Sequence, residues 1–264
     1  MNKLENFPTV NYINLHESVD RRLFMNSQIE KYNLKSNPYF TDRYAAFKDQ
    51  IQISLDLPEG NWQGGQEGNN ISYLSAMKKW YNTTDEEYGF FCDDDISFET
   101  VDYWTFTWQE FLDNLPQDWQ CVQLVRINIW EPGIKNYGIF EIPAIQIRER
   151  SWGDFGCAAI FKREYVKKVL DRHCISPNNY DFNIRKRDNW NFILFPIVES
   201  LLYREISDGV YNCPLLLENQ IFESTVHPND ADARLPHNIS YKYYSGLWKL
   251  FGSELPLSYI INKS

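Results

Sequence analysis

Apolar positions along the chain come in short blocks whose spacing switches between strand and helix periods. Val10-Asn-Tyr-Ile-Asn-Leu15 is short and largely apolar and predicts a first strand. His16 to Arg22 follows at once, with Ser18 placed to cap a helix, and Val19, Leu23, Ile29 and Tyr32 keep helical spacing to about Asn33. A strand running directly into a helix opens a βαβ unit. Tyr39–Phe47 predicts a weaker strand, and Asn70–Tyr81 a helix with Ile71, Leu74, Met77 and Tyr81 on one stripe. Tyr88–Cys92 is a compact apolar run, followed by a predicted helix over Thr100–Asn114. Trp119–Trp130 alternates Cys121 and Gln123 against Val122 and Leu124, which predicts a half-exposed strand.

After the break at Glu131-Pro-Gly133, strands are predicted at Ala144–Arg148 and Gly156–Phe161, and an amphipathic helix at Arg163–His173. Pro177–Asn191 reads as loop, Pro196–Tyr203 as a helix start and Val210–Leu217 as a late strand. Leu57–Asn70 also reads as loop; its glycines form neither of the familiar Gly-rich phosphate-binding patterns. No repeat or linker divides the chain. The expectation is one α/β domain over residues 1–264, with an alternating first half and a mixed second half.

Composition narrows the function classes. A net charge of −10 provides no basic field to recruit nucleic acid or anionic membrane, and Arg185-Lys186-Arg187 is a local exception that reads as solvated loop. The 16% aromatic content, with nine Trp, fits either a bulky core or rings that stack on a sugar or base. Five scattered cysteines without a C-x-x-C spacing predict reduced thiols. The opening residues Met1–Pro8 carry no apolar signal segment and no stretch approaches transmembrane length, so the expectation is a soluble, cytoplasmic protein.

The most informative stretch is Tyr88-Gly-Phe-Phe-Cys-Asp-Asp-Asp-Ile-Ser97, where an apolar run ends in three carboxylates. A strand that presents acids at its C-terminal tip is one way for an α/β sheet to hold a cation. In extended backbone Asp93 and Asp95 share a face and Asp94 points elsewhere. Two hard oxygen donors suit Mg²⁺ or Mn²⁺, particularly when substrate phosphates supply the remaining ligands. The competing reading is an Asp-rich turn capping the next helix.

Several motifs coincide in order: Ile13-Asn14-Leu15 with Asp20-Arg21 after it, a Gly-rich loop leading into Ser72, the acidic triplet, and Asp154-Phe-Gly-Cys-Ala-Ala-Ile-Phe161. In this order they resemble glycosyltransferase family 25, the lipopolysaccharide-type and procollagen galactosyltransferases, over roughly residues 10 to 170. Two positions depart from that family's pattern. The triplet begins with Asp where the family has Glu, and Ser72-Tyr73 stands where a Ser-His pair is expected. The closing segment, with Glu223 to His227 and Leu235-Pro-His237, looks more like virus- or phage-encoded relatives, which would place the protein in host cytoplasm.

The resemblance implies a GT-A-like nucleotide-diphospho-sugar transferase fold, a mixed, mostly parallel sheet flanked by helices. About 8–130 would form the nucleotide-sugar half and about 131–264 the acceptor half. It implies hexose transfer, with inversion, from a UDP-sugar to a glycan, lipid-linked sugar or protein, assisted by Mn²⁺ or Mg²⁺. Ile13, Asn14, Leu15, Arg21, Asp93 and Asp94 would contact the donor, with Asp93 serving either the ribose or the metal. Arg21 would reach the base or diphosphate, or else pair with a surface acid. Asp95 and Asp93 would hold the metal in this D-x-D arrangement, with His227 as the first candidate for a late histidine ligand and His237 the second. Inversion needs a base for the acceptor hydroxyl, for which Glu199, Asp181 and Asp188 are candidates. Glu199 reads equally as an acid favoured in a first helical turn. Asp154 with Trp152 and Gly153 would shape the acceptor side. Two other classes stay open: a carbohydrate-binding protein that kept the fold without catalysis, and a glycoside hydrolase with two separated acids and no metal.

Overall fold

The computed structural model describes residues 2–55, 64–128, 142–151, 154–183, 197–203, 208–222 and 231–261. Its first strand, β1 (Val10–Leu15), runs into helix α1 (Val19–Lys31) as predicted, but the expected stripe is not the buried face of that helix: Val19 and Leu23 are exposed, and Arg21 and Met25 are buried. After β2 (Tyr39–Thr41) and β3 (Gln52–Ser54) comes the long helix α2 (Gly64–Thr83) and then the apolar strand β4 (Tyr88–Asp93). A turn leads to β5 (Ile96–Ser97), α3 (Trp108–Asp113) and β6 (Cys121–Gln123). The second half supplies β7 (Arg148–Glu149), β8 (Ala158–Lys162), α4 (Arg163–His173), β9 (Cys174–Ser176) and β10 (Asn179–Asp181). It ends with α5 (Val198–Tyr203), β11 (Val210–Asn212), β12 (Leu217–Glu218), α6 (Ala231–Phe251) and α7 (Leu257–Ile260).

Among the described residues the central sheet has seven strands in the order β2-β1-β4-β8-β6-β11-β7. β1 is parallel to β2 and β4, and β6 to β11, whereas β8 is antiparallel to both its neighbours and β7 to β11. The protein is thus a mixed α/β structure in which β8 and β7 oppose the other five strands. Both sheet faces are covered, which is why the central strands read as near-continuous apolar runs. Successive side chains divide between the two faces. Phe90, Cys92, Ala158 and Ile160 join the core under α1, α3 and α6, while Phe91, Ala159 and Phe161 join the core under α2, α4 and α5. Gly89 lets α2 lie close on β4, since a Cβ there would sit 2.8 Å from a ring carbon of Trp80.

Several predicted elements differ from the observed ones. The strand expected over Tyr39–Phe47 stops at Thr41 and gives way to a 3₁₀ turn at Tyr44–Ala46. The helix expected from Asn70 begins at Gly64, so part of the predicted Gly-rich loop is helical. The helix expected over Thr100–Asn114 is a 3₁₀ turn, Glu99–Tyr103, followed by α3. A capping box causes the restart: Thr107 Oγ1 accepts from the Glu110 amide at 3.2 Å, and the Glu110 carboxylate accepts from the Thr107 amide at 2.8 Å.

The predicted half-exposed strand is wholly buried at Cys121–Gln123. Alternation misleads there because Gln123 is a satisfied core polar residue, donating to the Phe155 and Gly156 carbonyls and accepting from Arg150 Nε. Of the strand expected over Ala144–Arg148, Ala144 and Ile145 end a 3₁₀ turn over Ile142–Ile145 and only Arg148 is in a strand, and Pro177–Asp181 carries the second half of the β9–β10 hairpin. The Val210–Leu217 segment divides into β11 and β12, and β12 pairs with β5. No helix among the described residues is long and apolar enough to cross a membrane.

Candidate functional site

From β1 the chain crosses to β2 on one side and returns to β4 on the other, both parallel to β1. Adjacent connections therefore diverge between β1 and β4, and a crevice opens beyond the C-terminal ends of these strands, where ligands bind in α/β sheets. A cavity of about 790 Å³ occupies that place, within the range of small-molecule sites. Leu15, Thr41 and Asp93, the last residues of β1, β2 and β4, all line it.

The acidic triplet sits at the cavity's centre but does not alternate as an extended strand would. β4 ends at Asp93, and Asp94 and Asp95 form the turn into β5. The turn brings Asp94 and Asp95 together on one guanidinium. Arg21 Nη1 donates to Asp94 Oδ1 at 2.6 Å and to Asp95 Oδ2 at 2.8 Å. Asn14 Nδ2 takes the other Asp94 oxygen at 2.7 Å and also donates to the Ser18 carbonyl. All of these side chains are buried, so Arg21 pairs with interior acids and not with a surface one. Burial works against the charge on Arg21, but Asp95 and Asp94 outweigh it and raise its pKa.

Asp93 points to the α2 side. The Tyr73 hydroxyl lies 3.0 Å from Asp93 Oδ1 and 2.9 Å from the Cys157 carbonyl oxygen, which also accepts from the Asp93 amide. Burial, and then the neighbouring Asp95, Glu218 and Asp94, push the Asp93 carboxyl well above the usual range. Asp95 is raised to about 7, by burial first and by Glu218 next, against the opposing pull of Arg21. Its Oδ1 is buried and has no hydrogen-bond partner among the described residues. A buried carboxylate oxygen without a donor, among further acids, fits a hard cation whose ligands are oxygens. Among the described residues no group of three or more His, Cys, Asp or Glu gathers into a ligand set. The fit is therefore to a cation held by one or two carboxylates plus oxygens from a bound anion.

On the far side of the turn, Glu218 approaches through β12, which pairs with β5, and the Asn219 amide donates to the Asp95 carbonyl at 2.7 Å. His237, from α6, places Nδ1 2.6 Å from Glu218 Oε1. Burial disfavours the imidazolium, but the Glu218 carboxylate more than offsets this and raises His237 to about 9. The same contact lowers Glu218 despite its burial. Glu199, half-buried at the start of α5, also lines the cavity and accepts from the Gly156 amide at 3.3 Å. Gly156 (φ +111°) adopts a backbone shape that L side chains rarely take and precedes Cys157, so one short segment links Glu199 to Asp93.

Of the residues predicted from sequence, Ile13, Leu15, Arg21, Asp93, Asp94, Asp95, Glu199 and His237 line this cavity. Asn14 does not; its amide is committed to the acidic turn. Asp181 is not brought to it either. It lies on the β9–β10 hairpin, where its carbonyl contacts His173 and its carboxylate caps the Asn183 amide. Asp154 is a core residue, paired with Arg148 and Asn128 beside the buried Arg126. His227, Asp188, Trp152, Gly153 and Arg185 to Arg187 lie outside the described residues. Sequence reasoning missed Glu218, although Leu215-Leu216-Leu217-Glu218 repeats the signature of an apolar run ending in an acid. It noted Tyr73 only as a departure and gave it no role.

No protein-family model and no curated protein sequence matches the chain. Among solved structures, the apo form of mouse xyloside xylosyltransferase 1 aligns with 63% of this chain at 12% identity and a TM-score of 0.26. This chain spans 59% of that one, and at such a TM-score the likeness carries no argument about fold or function.

Proposed function

We propose that this protein is a glycosyltransferase that moves a hexose from a UDP-sugar to a glycan, lipid-linked sugar or protein acceptor, with inversion. The observation that carries the reading is the unpartnered Asp95 Oδ1, buried in an acidic turn at the point where the sheet's connections diverge. Asp95, assisted by Asp93, would hold Mn²⁺ or Mg²⁺, with the donor diphosphate completing the ligand set. When bound, such a cation neutralises charge that develops on the departing diphosphate.

The chain's own residues have separable tasks. Arg21 and Asn14 hold the acidic turn in shape, which leaves Asp95 Oδ1 free to take a ligand. Tyr73 fixes Asp93 from α2. Glu199 accepts the proton of the acceptor hydroxyl, since it is the candidate base that lines the cavity among the described residues. The N-terminal half would supply most donor contacts and the C-terminal half the acceptor side.

A thermal-shift and product-release experiment tests the reading. UDP with Mn²⁺ is expected to raise the melting temperature, whereas either alone raises it less. UDP-Glc, UDP-Gal or UDP-GlcNAc should yield metal-dependent UDP release, abolished in Asp95→Ala. No shift with UDP and Mn²⁺, together with an unaffected Asp95→Ala, sinks the proposal. A second reading, sugar binding without catalysis, draws on Arg21, which already neutralises part of the triplet; it predicts glycan binding with no UDP release.

A further inference from the structure

The cavity wall beside Glu199 differs in character from the acidic turn. Ile127, Phe155, Ile197 and Val198 line it together with Glu199, and Phe155 is half-buried. The Phe155 backbone is pinned. Its amide donates to the Ile127 carbonyl and its carbonyl accepts from the Ile127 amide, both at 3.0 Å; the same carbonyl accepts from Gln123 Nε2 at 2.9 Å. The next residue, Gly156, donates its amide to Glu199 Oε1 at 3.3 Å, so the aromatic residue stands one peptide away from the carboxylate. Charge around this segment is negative: Glu199, Asp93 and Glu218 all act on the Cys157 thiol, adding to the burial that raises it. Among the described residues, the basic groups of the cavity are placed otherwise. Arg21 lies on Asp94 and Asp95, His237 on Glu218, and Arg43 and Lys48 belong to the turns after β2.

We propose that Phe155 is the platform for the acceptor, and that the acceptor is an uncharged pyranoside whose C–H face stacks on the ring while an edge hydroxyl reaches Glu199. This rests on the glycosyltransferase reading above. A pyranose ring has an apolar face of C–H groups, and its equatorial hydroxyls point outward in the plane of the ring. Stacking on an aromatic side chain therefore buries the apolar face and leaves those hydroxyls at the edge. The pinned backbone at Phe155 fixes where that edge falls relative to Glu199, which is the positioning that a general base needs. A carboxylated sugar, or one carried on a lipid diphosphate, would bring further negative charge against Glu199, Asp93 and Glu218, and like charges brought together select against such a partner. A peptide hydroxyl presents no flat apolar face to the ring.

The test uses the full chain with UDP-Glc, UDP-Gal and UDP-GlcNAc in Mn²⁺. The acceptor probes are the methyl β-glycosides of galactose and glucose, the methyl glucuronide, N-acetylglucosamine linked to farnesyl diphosphate, and a serine-containing peptide. Binding of each probe is followed separately, without donor, by saturation-transfer NMR. The neutral glycosides should bind through the C–H protons of one ring face and raise UDP release above the rate with water alone; the other probes should do neither. Phe155→Ala should raise the acceptor KM about tenfold, the lower end of what burying one aromatic side chain is worth, and leave UDP affinity unchanged. Phe155→Tyr keeps the flat ring and should retain acceptor binding, whereas Phe155→Leu, apolar but not flat, should lose it. If Phe155→Ala does not fold, the Tyr and Leu variants decide. Equal acceptor KM in those two variants overturns the stacking role. Glucuronide used as well as glucoside, release stimulated only by the diphosphate-linked sugar or the peptide, or a wild type that binds neither neutral glycoside overturns the acceptor class. Phe155-dependent glycoside binding in a protein that neither binds UDP with Mn²⁺ nor releases it overturns the glycosyltransferase reading alone.

Discussion

Arg21 and Asp94 form a buried ion pair at 2.6 Å that joins the first helix to the acidic turn. Two stretches far apart in sequence, the opening strand-helix and the triplet, are therefore one structural unit. Removing one partner of a buried pair leaves the other charge without compensation. Arg21→Ala should destabilise the fold by about 3–5 kcal/mol, read from urea unfolding at neutral pH. A loss below about 1 kcal/mol would mean that water reaches the turn.

Stability should fall as pH rises from about 5 to 9 in the absence of ligands. Asp95, held up at about 7, binds its proton more tightly folded than unfolded, so its contribution is present below the unfolded value and lost by about pH 7. Asp93 is raised in the same sense. His237, raised to about 9, adds a weaker loss between the ordinary histidine range and that value; its side chain is 38% exposed, so solvent screens the pair. The lowered Asp154 and Glu218 work in the opposite direction and cause the fall below the ordinary carboxylate range. Each proton of difference contributes a slope of about 1.4 kcal/mol per pH unit, measurable by denaturation at a series of pH values. Mn²⁺ with UDP should flatten the neutral part of this slope by giving Asp95 a cation.

Glu199→Gln should lower sugar transfer by about 10²-fold or more while UDP affinity stays unchanged, because a general base acts on the acceptor and not on the donor. Single-turnover transfer and UDP titration on the same protein check this. Equal losses of binding and transfer would make Glu199 a shape-keeping residue of the Gly156 segment instead.

Gly89→Ala should cost about 1–3 kcal/mol through overpacking. A Cβ at that position meets Trp80 at 2.8 Å and Phe91 at 2.9 Å, two rings already packed edge-to-face with centroids 5.7 Å apart. Thermal unfolding of this variant reports whether α2 can move off β4. If it moves, Tyr73 leaves Asp93, and UDP with Mn²⁺ should stabilise the variant less than the wild type.

By itself the sequence determined the elements whose information is local. β1, β4 and α4 were legible because an apolar run or a helical stripe is a short-range pattern that burial simply rewards, whereas α1 was legible in extent but not in its buried face, which carries Arg21 and Met25 while Val19 and Leu23 are exposed. The importance of Asp93 to Asp95 was legible for the same reason: acids at the end of an apolar run need a partner wherever the chain goes. Only the tertiary structure decided who that partner is. Asp94 and Asp95 turn together onto Arg21, 73 and 74 residues away, an arrangement strand alternation forbids and the β4–β5 turn permits. Likewise, Gln123 looked like a solvent-facing position until the carbonyls of Phe155 and Gly156 supplied its hydrogen bonds. Glu218 and His237 reach the site because β12 pairs with β5 and α6 approaches β12. Propensity and periodicity act over a few residues, whereas charge compensation and buried hydrogen bonding act through space, and it is the second kind of interaction that assembles this cavity.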